Sequence, residues 1–138
     1  MGNKKILVVD DDPDVRLGLH VRLKANHYDV SFAADGMASI AEARKHVPDL
    51  IILDLGLPAG DGFSVMERLK ANDTLSLIPV IVVSARDRNA NMDRALKAGA
   101  NAFLQKPVDN AELLAVIRQV LGEPALPKKS TRHDLGSL

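Results

Sequence analysis

The chain alternates short apolar runs with longer amphipathic stretches. Ile6–Val9, Leu50–Leu53 and Val80–Val83 are continuously apolar, and most of their residues are β-branched. This pattern predicts parallel strands covered on both faces, since a half-exposed strand would alternate apolar with polar. Val30–Ala33, just after Tyr28, and the weaker Ala102–Leu104 complete a set of five. Between the runs the spacing becomes helical. Val15, Leu19 and Leu23 mark a first helix, and Ile40, Ala41 and Val47 a second. Phe63, Met66 and Leu69 mark a third, Met92, Ala95 and Leu96 a fourth, and Leu113, Ile117, Val120 and Leu121 a fifth. Pro48, Pro79 and Gly99 punctuate helix ends.

Strand and helix thus alternate five times. Each strand–helix–strand unit crosses over right-handed, which predicts an α/β protein with a parallel sheet and helices on both faces. In such folds the site lies beyond the carboxyl ends of the strands. After Gly122 the chain becomes polar, Pro-interrupted and aperiodic. Residues 1–122 therefore read as one domain and 123–138 as a flexible tail or truncated linker.

Composition narrows the possible functions. Eighteen basic and eighteen acidic side chains cancel in 138 residues. That balance gives no basic excess for nucleic-acid backbones. No apolar run reaches the ~18 residues that would cross a membrane, and the first is too short for a signal peptide. The cytoplasm is the default location. With no cysteine, thiolate catalysis and Cys-ligated zinc are excluded. The acids are uneven: fourteen are Asp and four Glu, and nine of the Asp fall within the first 62 residues. Asp favours caps, turns and strand ends over helix interiors. The excess therefore places carboxylates where elements stop.

The residues that follow the strands are specific. Strand one ends in Asp10-Asp11-Asp12, strand three in Asp54 and strand four in Ser84, while strand five runs into Lys106-Pro107. All would reach one edge of the sheet. Carboxylates gathered there repel one another and need a cation. An all-oxygen set suits a hard ion such as Mg²⁺, with Lys106 as a fixed charge beside it. Each piece alone has a plainer role. Asp12 before Pro13 is a good helix N-cap, Ser84 could cap the fourth helix, and Asp61-Gly62 suits a turn and helix start. The convergence of four strand ends favours one metal–phosphoryl site.

Four blocks carry a family resemblance: Ile6-Leu-Val-Val-Asp-Asp-Asp-Pro, Leu53-Asp-Leu-Gly-Leu-Pro-Ala-Gly-Asp-Gly62, Val82-Val-Ser-Ala85 and Leu104-Gln-Lys-Pro107. In order, spacing and strand context the chain resembles the receiver domain of two-component response regulators, of the chemotaxis-regulator type. The resemblance covers roughly residues 4–121. It implies a flavodoxin-like doubly wound sheet of five parallel strands in the order 2-1-3-4-5, with five helices.

By the same resemblance, Asp54 is the phosphoacceptor. Mg²⁺ is held by Asp10, Asp11, Asp54 and the backbone carbonyl of Gly56. Ser84 and Lys106 contact the phosphoryl group, Phe103 is the switch aromatic, and Lys106–Pro107 is a cis peptide. The phosphoryl donor is a sensor histidine kinase or a histidine phosphotransfer protein. The recipient of the signal is a downstream effector, docked on helix four, strand five and helix five. Such a domain binds neither nucleic acid nor membrane itself. It is no enzyme beyond self-catalysed phosphotransfer and autodephosphorylation, and some relatives dimerise when phosphorylated. The family tunes phosphoryl lifetime at the positions of Gly56 and Arg86, which leaves the lifetime open here.

Three other readings compete. Asp10-x-Asp12 is similar to haloacid-dehalogenase-type phosphatases, but that reading leaves Asp54 and the Asp61-Gly62 turn without a purpose. A flavin module would need backbone donors, not carboxylates, after strand one. A receiver-like interaction module that is never phosphorylated would have no need for the full set of Asp10, Asp11, Asp54, Ser84 and Lys106.

Overall fold

In the computed structural model, residues 2–58 and 61–124 are described. The strands are β1 (Lys5–Val9), β2 (Asp29–Ala33), β3 (Leu50–Leu53), β4 (Val80–Ser84) and β5 (Ala102–Gln105). They form one parallel sheet in the order β2-β1-β3-β4-β5. The order reverses at β1, which has β2 on one side and β3 on the other. Beyond the carboxyl ends of β1 and β3 lies the switch-point crevice where α/β sheets bind ligands.

The helices are α1 (Pro13–Ala25), α2 (Gly36–His46), α3 (Gly62–Lys70), α4 (Arg88–Lys97) and α5 (Asn110–Leu121), with a 3-10 turn at Leu75–Leu77. Their starts explain much of the Asp excess. Asp12, Asp35, Asp87 and Asp109 are N-caps whose carboxylates accept backbone N–H groups of their own helices. Each such cap stabilises by about 1 kcal/mol. The fourth helix is capped by Asp87 and not by Ser84.

Strand β1 beyond Lys5, β3 and β4 are buried on both faces, as their unbroken apolar runs require, while the edge strands β2 and β5 are only partly buried. One register row crosses the whole sheet through Ala33, Val9, Leu53, Val82 and Phe103. These residues belong to a core cluster with Ala43 of α2, Phe63, Met66 and Leu69 of α3, and Ala95 of α4. Val83 is one residue out of phase and lies beside Val15 and Leu19 of α1, on the opposite face. Each fully buried Leu or Ile contributes about 1.5–3 kcal/mol, so the edge that carries the site stands on a rigid base.

Two sequence expectations for α2 need correction. Val47 does not extend the helix. It is the C-cap, in a left-handed conformation at φ 42°, and is 48% exposed. Ala41 also points outward, and the buried positions are Gly36, Ser39 and Ala43. A small-residue face meets the sheet here, and such residues give only a weak apolar signal.

The chain divides into two compact units at Val108/Asp109. The first carries the sheet and α1–α4. The second carries α5, whose buried residues are Leu113 and Ile117 and whose C-cap is Gly122 at φ 72°. Of the expected tail, residues 125–138 lie outside the described residues. Among the described residues no helix is long and apolar enough to cross a membrane.

Candidate functional site

Backbone pairing fixes the two central carboxylates. The Asp54 N–H donates to the Val9 carbonyl at 2.9 Å, and the Asp10 N–H to the Ala33 carbonyl at 3.1 Å. Both residues therefore continue the ladder one step past the strands and emerge side by side at the switch point. Both are buried, at 4% exposure for Asp10 and 9% for Asp54. Asp11 is exposed. One carboxylate oxygen from each of Asp10, Asp11 and Asp54 lies within 4.8 Å of the others.

Lys106 closes the pocket from β5. Its Nζ donates to Asp10 Oδ2 at 2.7 Å and to Asp54 Oδ2 at 3.3 Å. Burial pulls the lysine pKa down. The Asp10 hydrogen bond and the charges of Asp54 and Asp10 outweigh that pull and hold it above the usual lysine value. The ammonium is thus a permanent charge at physiological pH and not a proton shuttle.

The remaining oxygens are held locally. Asp10 Oδ1 accepts the Asp12 N–H at 2.9 Å, and Asp54 Oδ1 accepts the Gly56 N–H at 3.2 Å. Arg16 Nη1 donates to the Asp10 backbone carbonyl at 2.7 Å. Ser84 is 1% exposed, and its Oγ accepts the Arg86 N–H at 3.1 Å. Among the described residues the Asp11 carboxylate has no hydrogen-bond or ion-pair partner. Three carboxylates against one ammonium leave the cluster with two surplus negative charges. Hard oxygen donors, one of them open to solvent, fit a divalent ion such as Mg²⁺ that keeps part of its water shell.

The structure thus brings Asp10, Asp11, Asp54 and Lys106 together. It puts Ser84 at the end of β4, two residues beyond the strand's pairing with Phe103. Phe103 is buried in the core cluster. Gly56 adjoins the site through its N–H, and the Lys106–Pro107 peptide is cis.

Gly62 has a part that its turn chemistry did not announce. A Cβ there would lie 2.6 Å from Leu55 Cα and 2.7 Å from the Asp54 carbonyl oxygen. Only glycine lets α3 start against the backbone that carries Asp54. Gly62→Ala is expected to destabilise the fold by about 1–3 kcal/mol, through a forced backbone shift. Urea denaturation checks this as a lowered midpoint. The Arg86–Asp61 ion pair at 2.9 Å is also invisible in the sequence, because no local pattern links residues 25 positions apart.

Comparison with known proteins agrees with this geometry. Residues 6–118 match the family model of the response regulator receiver domain. Response regulator PleD of Caulobacter vibrioides is 42% identical over 117 residues, which are 84% of this chain and 26% of PleD. The chain spans only part of the length of such curated relatives: 26% of PleD and 55% of the regulator PhoP of Bacillus subtilis. A response regulator structure from Chloroflexus aurantiacus superimposes with a TM-score of 0.82 at 30% identity, covering 88% of this chain and 99% of that one. The receiver domain of the Pseudomonas aeruginosa sensor histidine kinase PA1611 gives 0.81 at 29% identity, covering 88% and 100%. That crystal structure has a magnesium ion coordinated in its active-site cleft. With the sheet order, the acidic cluster and the family match in agreement, the chain belongs to the response regulator receiver domains of two-component signalling.

Proposed function

We propose that Asp54 accepts a phosphoryl group from a phosphohistidine on a sensor kinase or histidine phosphotransfer protein. The observation that carries this reading is the buried Asp54 carboxylate, clustered with Asp10 and Asp11 and ion-paired to Lys106. An Asp54 carboxylate oxygen attacks phosphorus, the Oδ–P bond forms, and the P–N bond breaks with its electron pair leaving on the donor imidazole. Such transfers depend on positioning and charge neutralisation more than on covalent help.

The chain's own residues supply both. The Gly56 N–H orients Asp54 through Oδ1. Lys106 neutralises a phosphoryl oxygen as its hold on Asp54 is replaced. The Ser84 hydroxyl, now held by Arg86 N–H, donates to another phosphoryl oxygen. Asp10, Asp11, Asp54 and the Gly56 carbonyl would hold Mg²⁺, which offsets phosphoryl charge when bound. Movement of Ser84 opens room for Phe103, and the resulting population shift is read at α4 and β5. An effector domain or separate protein would read it, in the cytoplasm.

The test is incubation with acetyl phosphate and Mg²⁺. The intact mass is expected to rise by one phosphoryl group. An unchanged mass, where a control receiver gains phosphate, would reduce the chain to an interaction module. Mg²⁺ alone is expected to stabilise the fold by about 2.7 kcal/mol at a hundredfold excess over its Kd. Asp11→Ala should remove most of that gain, as read by thermal melts with and without Mg²⁺.

A further inference from the structure

Asp61 breaks the pattern of the other helix starts. Four N-cap aspartates bond their own helices, but Asp61, in the same position on α3, makes no side-chain cap. Its Oδ1 instead accepts Arg86 Nη2 at 2.9 Å. The two side chains are 38% and 40% exposed. An ion pair so open to solvent stabilises no more than the cap it replaces, so fold stability does not explain the choice.

Position does. The Arg86 N–H donates to Ser84 Oγ. Gly62, next to Asp61, donates its N–H to the Leu55 carbonyl at 2.9 Å and packs on the Asp54 carbonyl. The ion pair therefore closes a chain of contacts from Ser84 through Arg86, Asp61 and Gly62 to Asp54. It links the loop after β4 to the start of α3, on either side of the phosphoacceptor. The guanidinium thus belongs to the residue whose own backbone N–H holds Ser84, and among the described residues Asp61 is the carboxylate paired with it.

We propose that Asp61 is a decoy anion: it withholds the Arg86 guanidinium in the unphosphorylated chain, and a phosphoryl group on Asp54 competes for it. This rests on the reading of Asp54 as phosphoacceptor. A phosphoryl group carries close to two negative charges and three acceptor oxygens, against one charge on Asp61. The planar fork of arginine matches phosphate oxygens in a bidentate manner. Exchange of partners makes Arg86 a phosphoryl-contacting residue only in the modified state. It also releases the loop that bears Ser84 from α3, so that occupancy of Asp54 loosens one edge of the pocket as it engages another.

The idea predicts effects of opposite sign. The probe is beryllofluoride with Mg²⁺, a phosphoryl mimic that binds a receiver aspartate without a covalent turnover step, with affinity read by calorimetry. Asp61→Asn removes the competitor and is expected to tighten binding about two- to fivefold, the scale of an exposed ion pair. Arg86→Gln removes the ligand and is expected to weaken binding by a similar factor. The double variant should behave as Arg86→Gln alone, and Asp61→Glu, which keeps the pair, should match the unaltered chain. A purely structural brace would shift both single variants in the same direction. That result, or no shift in either, overturns the proposal. Failure of the unaltered chain to bind beryllofluoride overturns the phosphoacceptor reading beneath it. Circular dichroism melts confirm that each variant is folded, as the exposure of both residues leads one to expect.

Discussion

Asp54→Asn is expected to abolish phosphoryl incorporation from acetyl phosphate while leaving the fold intact. The amide is nearly the same size but has no nucleophilic carboxylate oxygen, so the transfer loses its acceptor. The fold tolerates the change because Asp54 stands in a surplus of negative charge. Three carboxylate oxygens share a 4.8 Å neighbourhood, and among the described residues Lys106 is the one cation ion-paired to them. Removing one charge relieves repulsion, and Lys106 keeps its shorter contact to Asp10 at 2.7 Å. The variant should melt no lower than the unaltered chain without Mg²⁺. Intact-mass analysis and a thermal melt on one sample separate the chemical loss from any structural one.

Lys106→Met is expected to have the second-largest effect, with the opposite balance between fold and chemistry. Methionine preserves most of the stem's volume and removes the ammonium. Among the described residues Asp10, at 4% exposure, then keeps only the Asp12 N–H on its other oxygen. A buried carboxylate stripped of its partner costs about 1–3 kcal/mol. That loss should appear as a lower urea midpoint without Mg²⁺ and should shrink as Mg²⁺ is added, because a second cation then offsets the same charges. Phosphoryl incorporation should fall but not vanish, since the nucleophile remains. Any signalling output coupled to it should be lost more completely, because nothing then anchors the phosphoryl group to β5.

The two variants show why the site was more legible than some of the fold around it. Asp10, Asp54 and Ser84 each stand directly after an apolar run, and Lys106 one residue further on, so strand ends found by composition point straight at them. The first three runs are apolar throughout because both faces of β1, β3 and β4 are buried. The same fact hides which residues face which layer. Nothing in Val80–Val83 tells that Val82 joins the α2–α4 side while Val83 meets α1. The strand order came through the family resemblance, since strand–helix alternation alone does not say where the order reverses.

Helix α2 was the weakest reading because its buried face consists of Gly36, Ser39 and Ala43. Val47 misled because a β-branched residue beyond a helix looks like its last apolar contact. Here it takes the left-handed cap position that glycine usually fills. Tyr28 was noted only as a marker before β2, yet it is 3% exposed. The Asp61–Arg86 pair lay beyond reach for another reason. The sequence marks one as a turn residue and the other as a position that tunes phosphoryl lifetime, but only the folded chain sets them 2.9 Å apart.

The most direct test is to find where the phosphoryl group sits. Borohydride reduces an aspartyl phosphate to homoserine, so the acetyl phosphate-treated chain can be reduced, digested and mapped by mass spectrometry. Homoserine at position 54, at no other aspartate, and only when Mg²⁺ was present is the expected result. Homoserine at Asp10, Asp11 or Asp12 instead, or a phosphorylated chain with residue 54 unreduced, would contradict the assignment of Asp54 as the acceptor.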